Sequence, residues 1–302
     1  LKTKDQKYYL IGSGVFSQKF YSGNTERGNT YNISLGKISG NWTYGAGHGV
    51  ESKNYDPNDM GFLFSPNEQY YFAEGAYTQY KPQNEKLQQV KISGTSVYSR
   101  LYEPNVFTNF NIELESFMLW KSRFALGLNT RLEPINTFDY FEPRTDDFSR
   151  FMTWPVNYTA GGFVSSDYRK PFAYDIRMSY RYFDAENRNN TNIVLAPRLR
   201  LSDRLSVFTN TSLSIINFEP GYVNKNLSDT PIDGLAADDI LFGNRNRLIV
   251  DNSITTRYIF NALIGINMRI RHYWDKVRYQ QFGRLDKDGF VEVIPYSGLD
   301  AN

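Results

Sequence analysis

Cysteine is absent from the 302 residues, and disulfides, thiolate metal sites and a cysteine nucleophile go with it. Such an absence suits a protein that passes through an oxidising envelope compartment. Histidine is nearly absent: the two present, His48 and His272, lie far apart and form no pair with metal-ligand spacing. Long apolar runs are missing as well. The longest, Ala262 to Ile266, is far too short for a membrane-crossing helix. A net charge of +2 gives no bulk attraction to nucleic acid. No serine elbow and no twelve-residue calcium loop occurs. The chain opens Leu-Lys-Thr-Lys-Asp without a signal peptide, as expected of a mature or trimmed segment.

What the chain has in quantity is aromatic side chains, 16% of the total with 23 Tyr and 22 Phe, set in alternating stretches. In Phe172 to Phe183 every second residue is large and apolar: Phe172, Tyr174, Ile176, Met178, Tyr180 and Tyr182. Small or charged residues fill the positions between. Side chains on a strand alternate faces, so this segment has one apolar and one polar face. Its length, about ten residues with aromatics at both ends, matches a tilted strand crossing a bilayer. Similar segments are expected at 8–20, 29–38, 41–54, 67–80, 88–101, 106–119, 122–133, 151–165, 171–183, 191–201, 204–216, 247–260, 262–274 and 276–285. No stretch sustains a helical period.

The connections are expected to alternate in length. Tight ones fall at Ser39-Gly40, Lys121-Ser122, Asp167 to Lys170, Ser202-Asp203 and Asn261. Long polar ones fall at Tyr21 to Gly28, Tyr55 to Pro66, Ile135 to Arg150, Asp184 to Asn190 and Phe218 to Asn246, the last long enough to fold over a barrel mouth. Outer-membrane barrels have short periplasmic turns and long outer loops. Aromatics also gather at strand ends, as in Tyr8, Trp42, Trp120, Trp154, Tyr168, Phe183, Phe260 and Trp274, where a girdle would lie. These signals predict an all-β fold: one antiparallel transmembrane outer-membrane β-barrel domain over 1–302, with about 14 strands visible and part of a larger barrel. Cross-strand packing in a soluble β-protein also enriches Tyr and Phe, and is the competing reading.

Alternation places Arg123, Arg131, Arg177, Arg181, Arg198, Arg200, Arg269 and Arg271 on the polar face beside Glu113, Glu115 and Asp175. A lumen lined this way either binds anionic solutes or pairs its own charges to fill a polar interior. Phe208 on the same face is a candidate platform for a sugar. Acidic groups sit in the loops: Asp56, Asn58 and Asp59; Glu142, Asp146 and Asp147; Asp229, Asp233, Asp238 and Asp239. Solvated loop charge is the favoured reading of these groups, and no cofactor is expected; loop oxygens of this kind would suit only Ca²⁺, with Asp233, Asp238 and Asp239 the weak metal candidates.

Several short motifs recur in a familiar order. They are Asn54-Tyr-Asp-Pro-Asn-Asp-Met-Gly-Phe-Leu63, Tyr102-Glu-Pro-Asn105, Tyr140-Phe-Glu-Pro-Arg144, Ser165-Ser-Asp-Tyr-Arg-Lys-Pro-Phe-Ala-Tyr-Asp175, Asp239-Ile-Leu-Phe-Gly243 and Arg269-Ile-Arg-His-Tyr-Trp-Asp-Lys-Val-Arg-Tyr279. Together they resemble an uncharacterised Bacteroidota family in which a carbohydrate-binding module of the family-nine type precedes a large outer-membrane β-barrel. The resemblance spans nearly the whole chain. It implies a bacterial outer-membrane location with long loops facing outward, lipid around the barrel, and a glycan or other outer-membrane proteins as partners. It also implies further strands beyond both ends, and it supplies no catalytic residues. Three roles follow as expectations: glycan-related surface binding or transport, a structural or assembly subunit of a membrane complex, and a surface hydrolase acting through acidic loops.

Overall fold

The computed structural model describes residues 1–58, 66–145, 147–225 and 235–295. Among these, the chain is all β and antiparallel, without a helix. The strands are β1 (Tyr8–Tyr21), β2 (Asn24–Lys37), β3 (Trp42–Glu51), β4 (Glu68–Gln79), β5 (Leu87–Leu101), β6 (Phe107–Trp120) and β7 (Ala125–Glu133). They continue with β8 (Thr137–Asp139), β9 (Met152–Trp154), β10 (Asn157–Ser165), β11 (Phe172–Phe183), β12 (Asn189–Arg200) and β13 (Leu205–Lys225). The chain ends with β14 (Ile240–Ile259), β15 (Gly265–Leu285) and β16 (Val291–Val293). Fourteen of them follow one another in a single sheet, while β8 and β9 pair as a separate two-stranded sheet. No closed barrel is present among the described residues: the end strands of the sheet, β1 and β16, are not hydrogen-bonded neighbours. The residues group into two compact units, with β5, β6 and β7 each contributing to both.

In the unit that holds β10 to β16, the ladder turns period-two alternation into two faces of opposite character. Ile176 stands opposite Val164 and Leu195, and Met178 opposite Gly162 and Ile193. The same row set continues through Leu213, Val250 and Trp274. This apolar face is open: Met178 is 56% exposed and Ile270 58%, with Ile254, Ile266 and Met268 exposed beside them. On the opposite face Ala173 and Phe183 are 2% and 0% exposed. Tyr158 meets Tyr182 at 5.0 Å and Tyr258 meets Phe260 at 4.8 Å, so aromatic pairs mark strand ends on the apolar side. Each such pair contributes roughly 0.5–1.5 kcal/mol beyond its buried area.

In the unit that opens the chain, the same division holds for β1 to β4. Leu35 faces Leu10 and Ala46, and Ile33 faces His48. His48 stacks on Tyr71 at 4.3 Å and meets Tyr31 edge-on at 5.6 Å. Its Nδ1 lies 2.9 Å from the Tyr70 carbonyl oxygen, which can only accept, so Nδ1 carries the proton and Nε2 accepts from the Tyr31 hydroxyl at 3.3 Å. The other face of β3 is a row of glycines. Gly45, Gly47 and Gly49 stand opposite Glu74, Phe72 and Tyr70, and the rings of Phe72 and Tyr70 lie where glycine side chains would be.

Four expectations are corrected. The strands expected at 262–274 and 276–285 are one strand, β15. The loop expected at Phe218 to Asn246 is strand at both flanks, because β13 runs to Lys225 and β14 starts at Ile240, while 226–234 lies outside the described residues. Register shifts at Ile216/Glu219 and Tyr222/Asn224 let the pairing continue where the alternation breaks. The 135–150 stretch contains β8, which folds back on β9 under a cluster of Phe107, Phe138, Phe151 and Tyr140. The long loop expected at Tyr21 to Gly28 is a tight hairpin with Gly23 at a φ of 87°. Strict long–short alternation therefore fails: the connections at 38–41, 80–86, 121–124, 166–171, 201–204 and 260–264 are all short, but the intervening ones are long only at 52–67, 134–156 and 226–239.

The first of those long connections turns back onto the sheet. Ser52 exchanges hydrogen bonds with Asn29, the Asp56 backbone N–H donates to the Ser17 hydroxyl oxygen at 3.1 Å, and the Asp56 carboxylate pairs with the Lys19 ammonium. Gly28 lies beneath, where any Cβ would overlap the backbone of Asn54 and Tyr55. Gly28→Ala is expected to lower stability by about 2 kcal/mol, since backbone cannot yield as a flexible side chain does. Gly75→Ala, with its nearest neighbour at 3.9 Å, should stay within ~0.5 kcal/mol of the parent. Urea unfolding of the two variants measures the contrast.

Candidate functional site

The ladder places most of the singled-out arginines on one face. In the unit containing β10 to β16, Arg177 stands opposite Phe163 and Val194, Arg181 opposite Thr159 and Asn190, and Arg198 opposite Ala173 and Phe208. Arg200 stands opposite Ser206, Arg269 opposite Thr255, and Arg271 opposite Ser253. All six side with Asp175. Arg131, in the other unit, lies on β7 and donates to Glu113 at 2.5 Å and to Glu133 at 3.1 Å. Arg123 departs from the expectation. It sits in the exposed turn before β7 with φ 67°, and its guanidinium reaches Gln88 at 3.0 Å. The turn takes up the residue that alternation had assigned to a strand face.

Around Asp175 the polar side chains converge. Ser165 donates to its Oδ1 at 2.5 Å, the Tyr168 hydroxyl donates to the same oxygen, and Arg198 Nη2 donates to Oδ2 at 3.2 Å. The Arg198 guanidinium carbon also lies over the Tyr168 ring, 4.0 Å from its centroid. Burial, and then donation to Asp175, push the Tyr168 phenol up. The 166–171 turn that carries Tyr168 is itself stapled: Arg169 grips Asp167 through Nη2 at 2.7 Å and through its backbone nitrogen at 3.0 Å. These bonds bring the Asp167 carboxyl down to about 2. A depressed carboxyl supports the fold above the ordinary carboxylate range and loses that support only as the pH falls toward 2.

Beside this cluster opens a cavity of about 210 Å³ lined by Tyr168, Lys170, Arg198, Arg200, Ser206 and Phe208, among others. Farther along the same face the charges pair off. Arg245 donates to Glu219 at 2.9 Å, and Arg247 bridges Glu219 at 3.5 Å and Asp275 at 2.6 Å. Arg271 grips Asp251 through two bonds of 3.0 and 2.7 Å. His272 lies on the opposite, apolar face, opposite Asn252 and next to Trp274 along β15.

Among the described residues no three acidic or histidine side chains come together as a metal site. Asp239 accepts from the Ala236 backbone at 2.9 Å and closes its own turn, while Asp238 holds a φ of 65° within it. Asp147 caps Ser149 at 3.1 Å. Asp59, Asp146, Asp229 and Asp233 lie outside the described residues.

A domain of unknown function, DUF5916, matches residues 1–302. The chain belongs to that family. Comparison with curated proteins and with solved structures gave no match.

In this DUF5916 chain, sequence reasoning missed Arg245, Arg247, Glu219 and Asp275, four half-buried charges of the polar face. Glu219 and Arg245 lay in the stretch read as loop, and the shift at Asn244/Arg245 moves the pattern by one residue. It also missed Lys170, hidden in a turn, and Arg257, whose alternation with Thr255 and Ser253 was legible. A double-mutant cycle separates the enclosed from the open pairs. Arg247 and Asp275 are 23% and 21% exposed, and their coupling is expected at about 1–3 kcal/mol. Arg271 and Asp251, at 57% and 31%, should couple by less than ~1 kcal/mol.

Proposed function

We propose that this chain is part of an outer-membrane β-barrel, larger than the fourteen sheet strands seen here, in a Bacteroidota-type envelope, and that it serves glycan-related binding or transport at the cell surface. The single observation behind the membrane reading is the open apolar face of β11 to β15. Water penalises a continuous apolar surface of this extent, whereas lipid accepts it. The polar character of the opposite face fits a lumen, and the aromatic pairs at strand ends fit interfacial girdles. The edge of β15 supports further strands: among the described residues its far side pairs only at Gly283–Leu285, through β16. An unpaired edge that long is a liability unless something covers it. The glycan assignment rests on the family resemblance and on the polar face, with Ca²⁺ at the loops a secondary expectation.

The lipid contact is tested with tryptophans. A variant keeping only Trp274, which projects from the apolar face and is 45% exposed, is reconstituted in bilayers with brominated acyl chains. Strong quenching is expected, and an unquenched Trp274 in folded protein would sink the membrane reading.

The open edge also favours a second reading, an assembly subunit in a multi-protein outer-membrane complex. Conductance separates the two. A transport barrel passes ions, and its anion preference should fall in Arg177→Glu with Arg198→Glu. An assembly subunit co-purifies with fixed partners and passes none.

A further inference from the structure

We infer that the turn end of the polar face in β11 to β15 binds a small oxyanion-bearing solute, a carboxylate or phosphate carried on a sugar-sized body. The inference deepens the reading above and rests on it for the claim that solute reaches this face. Its physical basis is a charge imbalance. Two rows of the ladder run side by side there: Arg200, Ser206, Arg257 and Asn267 in one, Arg198, Phe208, Thr255 and Arg269 in the next. Residues two apart on one strand share a face about 6.6 Å apart, and neighbouring strands lie about 4.8 Å apart. The four guanidinium groups therefore share one end of the face, with Arg198, Arg200 and Lys170 together at the cavity.

Two of the three acids near these rows are already committed, and the third, Asp203 in the 201–204 turn, is exposed and stands next to a further cation, Arg204. Asp175 takes three donors, and Asp167 is held by Arg169. Lys170, Arg200 and Arg257 form no side-chain hydrogen bond or ion pair among the described residues. Elsewhere on the face Arg245, Arg247 and Arg271 have partners in Glu219, Asp275 and Asp251. Like charges left together repel, and an entering oxyanion relieves that repulsion while accepting forked guanidinium bonds.

The cavity has the shape of a receiving site. Asp175 and the Tyr168 ring fix Arg198 in advance, which removes an ordering cost from binding. Arg200 and Lys170 supply charge, Ser206 a hydroxyl, and Phe208 an apolar ring for the body of the solute. A volume near 210 Å³ falls below the roughly 300 Å³ at which drug-sized pockets begin. It therefore takes one sugar unit or a single anionic group of a longer chain.

Calorimetric titration of the folded chain in detergent micelles tests this with galacturonate, glucose 6-phosphate, inorganic phosphate and neutral galactose. The three anions are expected to bind about tenfold or more tightly than galactose. Lys170→Ala with Arg200→Gln should weaken them about tenfold, while Arg271→Gln, on the balanced stretch, should change little. Affinity for inorganic phosphate equal to that for the two sugars places recognition on the anion alone, whereas tighter sugars assign a share to Phe208. Equal binding of galactose, unchanged binding in the double variant, or no binding by any anion to folded protein would overturn the site. Circular dichroism of each variant establishes folding. Because no bilayer enters the measurement, a negative result here is separate from the quenching test of the membrane reading.

Discussion

Hydrogen bonding between neighbouring backbones is the constraint on which the rest of this molecule depends. Antiparallel pairing fixes which residues oppose one another, and period-two alternation then assigns each side chain to a face. Once Ile176 is set beside Leu195 and Val164, Asp175 must stand beside Ala196 and Ser165. One decision about register thus distributes greasy and charged groups over two surfaces at once. A slip of one residue would exchange them wholesale. The two bulged stretches of β13 and β14 are tolerable because they sit where Ile240, Leu241 and Phe242 are buried and packing holds the register independently.

Much of this was legible in the chain. Strands with clean alternation, such as β11 and β12, begin and end within two residues of their expected limits. The misreadings have physical causes. The long β13–β14 hairpin was hidden because bulges at Glu219 and Asn224 break the period on which recognition relies. The run from Gly265 to Leu285 was cut in two, although its register with β14 shifts only at Asn244/Arg245. Of the candidate site, the arginines on regular strands were placed on their face by counting in twos. Lys170 and Tyr168 were beyond that method, since turn geometry rather than alternation brings them to the cavity.

The polar face is not uniform along the strands. Toward the β13–β14 connection its charges are interleaved and enclosed, so the Arg245 and Arg247 guanidiniums are held by Glu219 and Asp275 and little is left for a visitor. Toward the short turns the cations outnumber the acids available to them. Neutralisation in the first region is internal and serves the fold; in the second it is deferred to whatever the surroundings supply. A field of one sign at one end of a low-dielectric wall also draws counter-ions from a distance, with a reach set by ionic strength.

The glycine row of β3 carries a consequence of another kind. Where Gly47 and Gly49 omit their side chains, the rings of Phe72 and Tyr70 take the vacated volume, so each cross-strand couple shares one fixed allotment of space. Neither member can grow unless the other shrinks. Two positions in sequence thereby behave as a single variable in packing, and the strand so lined offers a smooth wall of flat rings where long, mobile side chains would otherwise project.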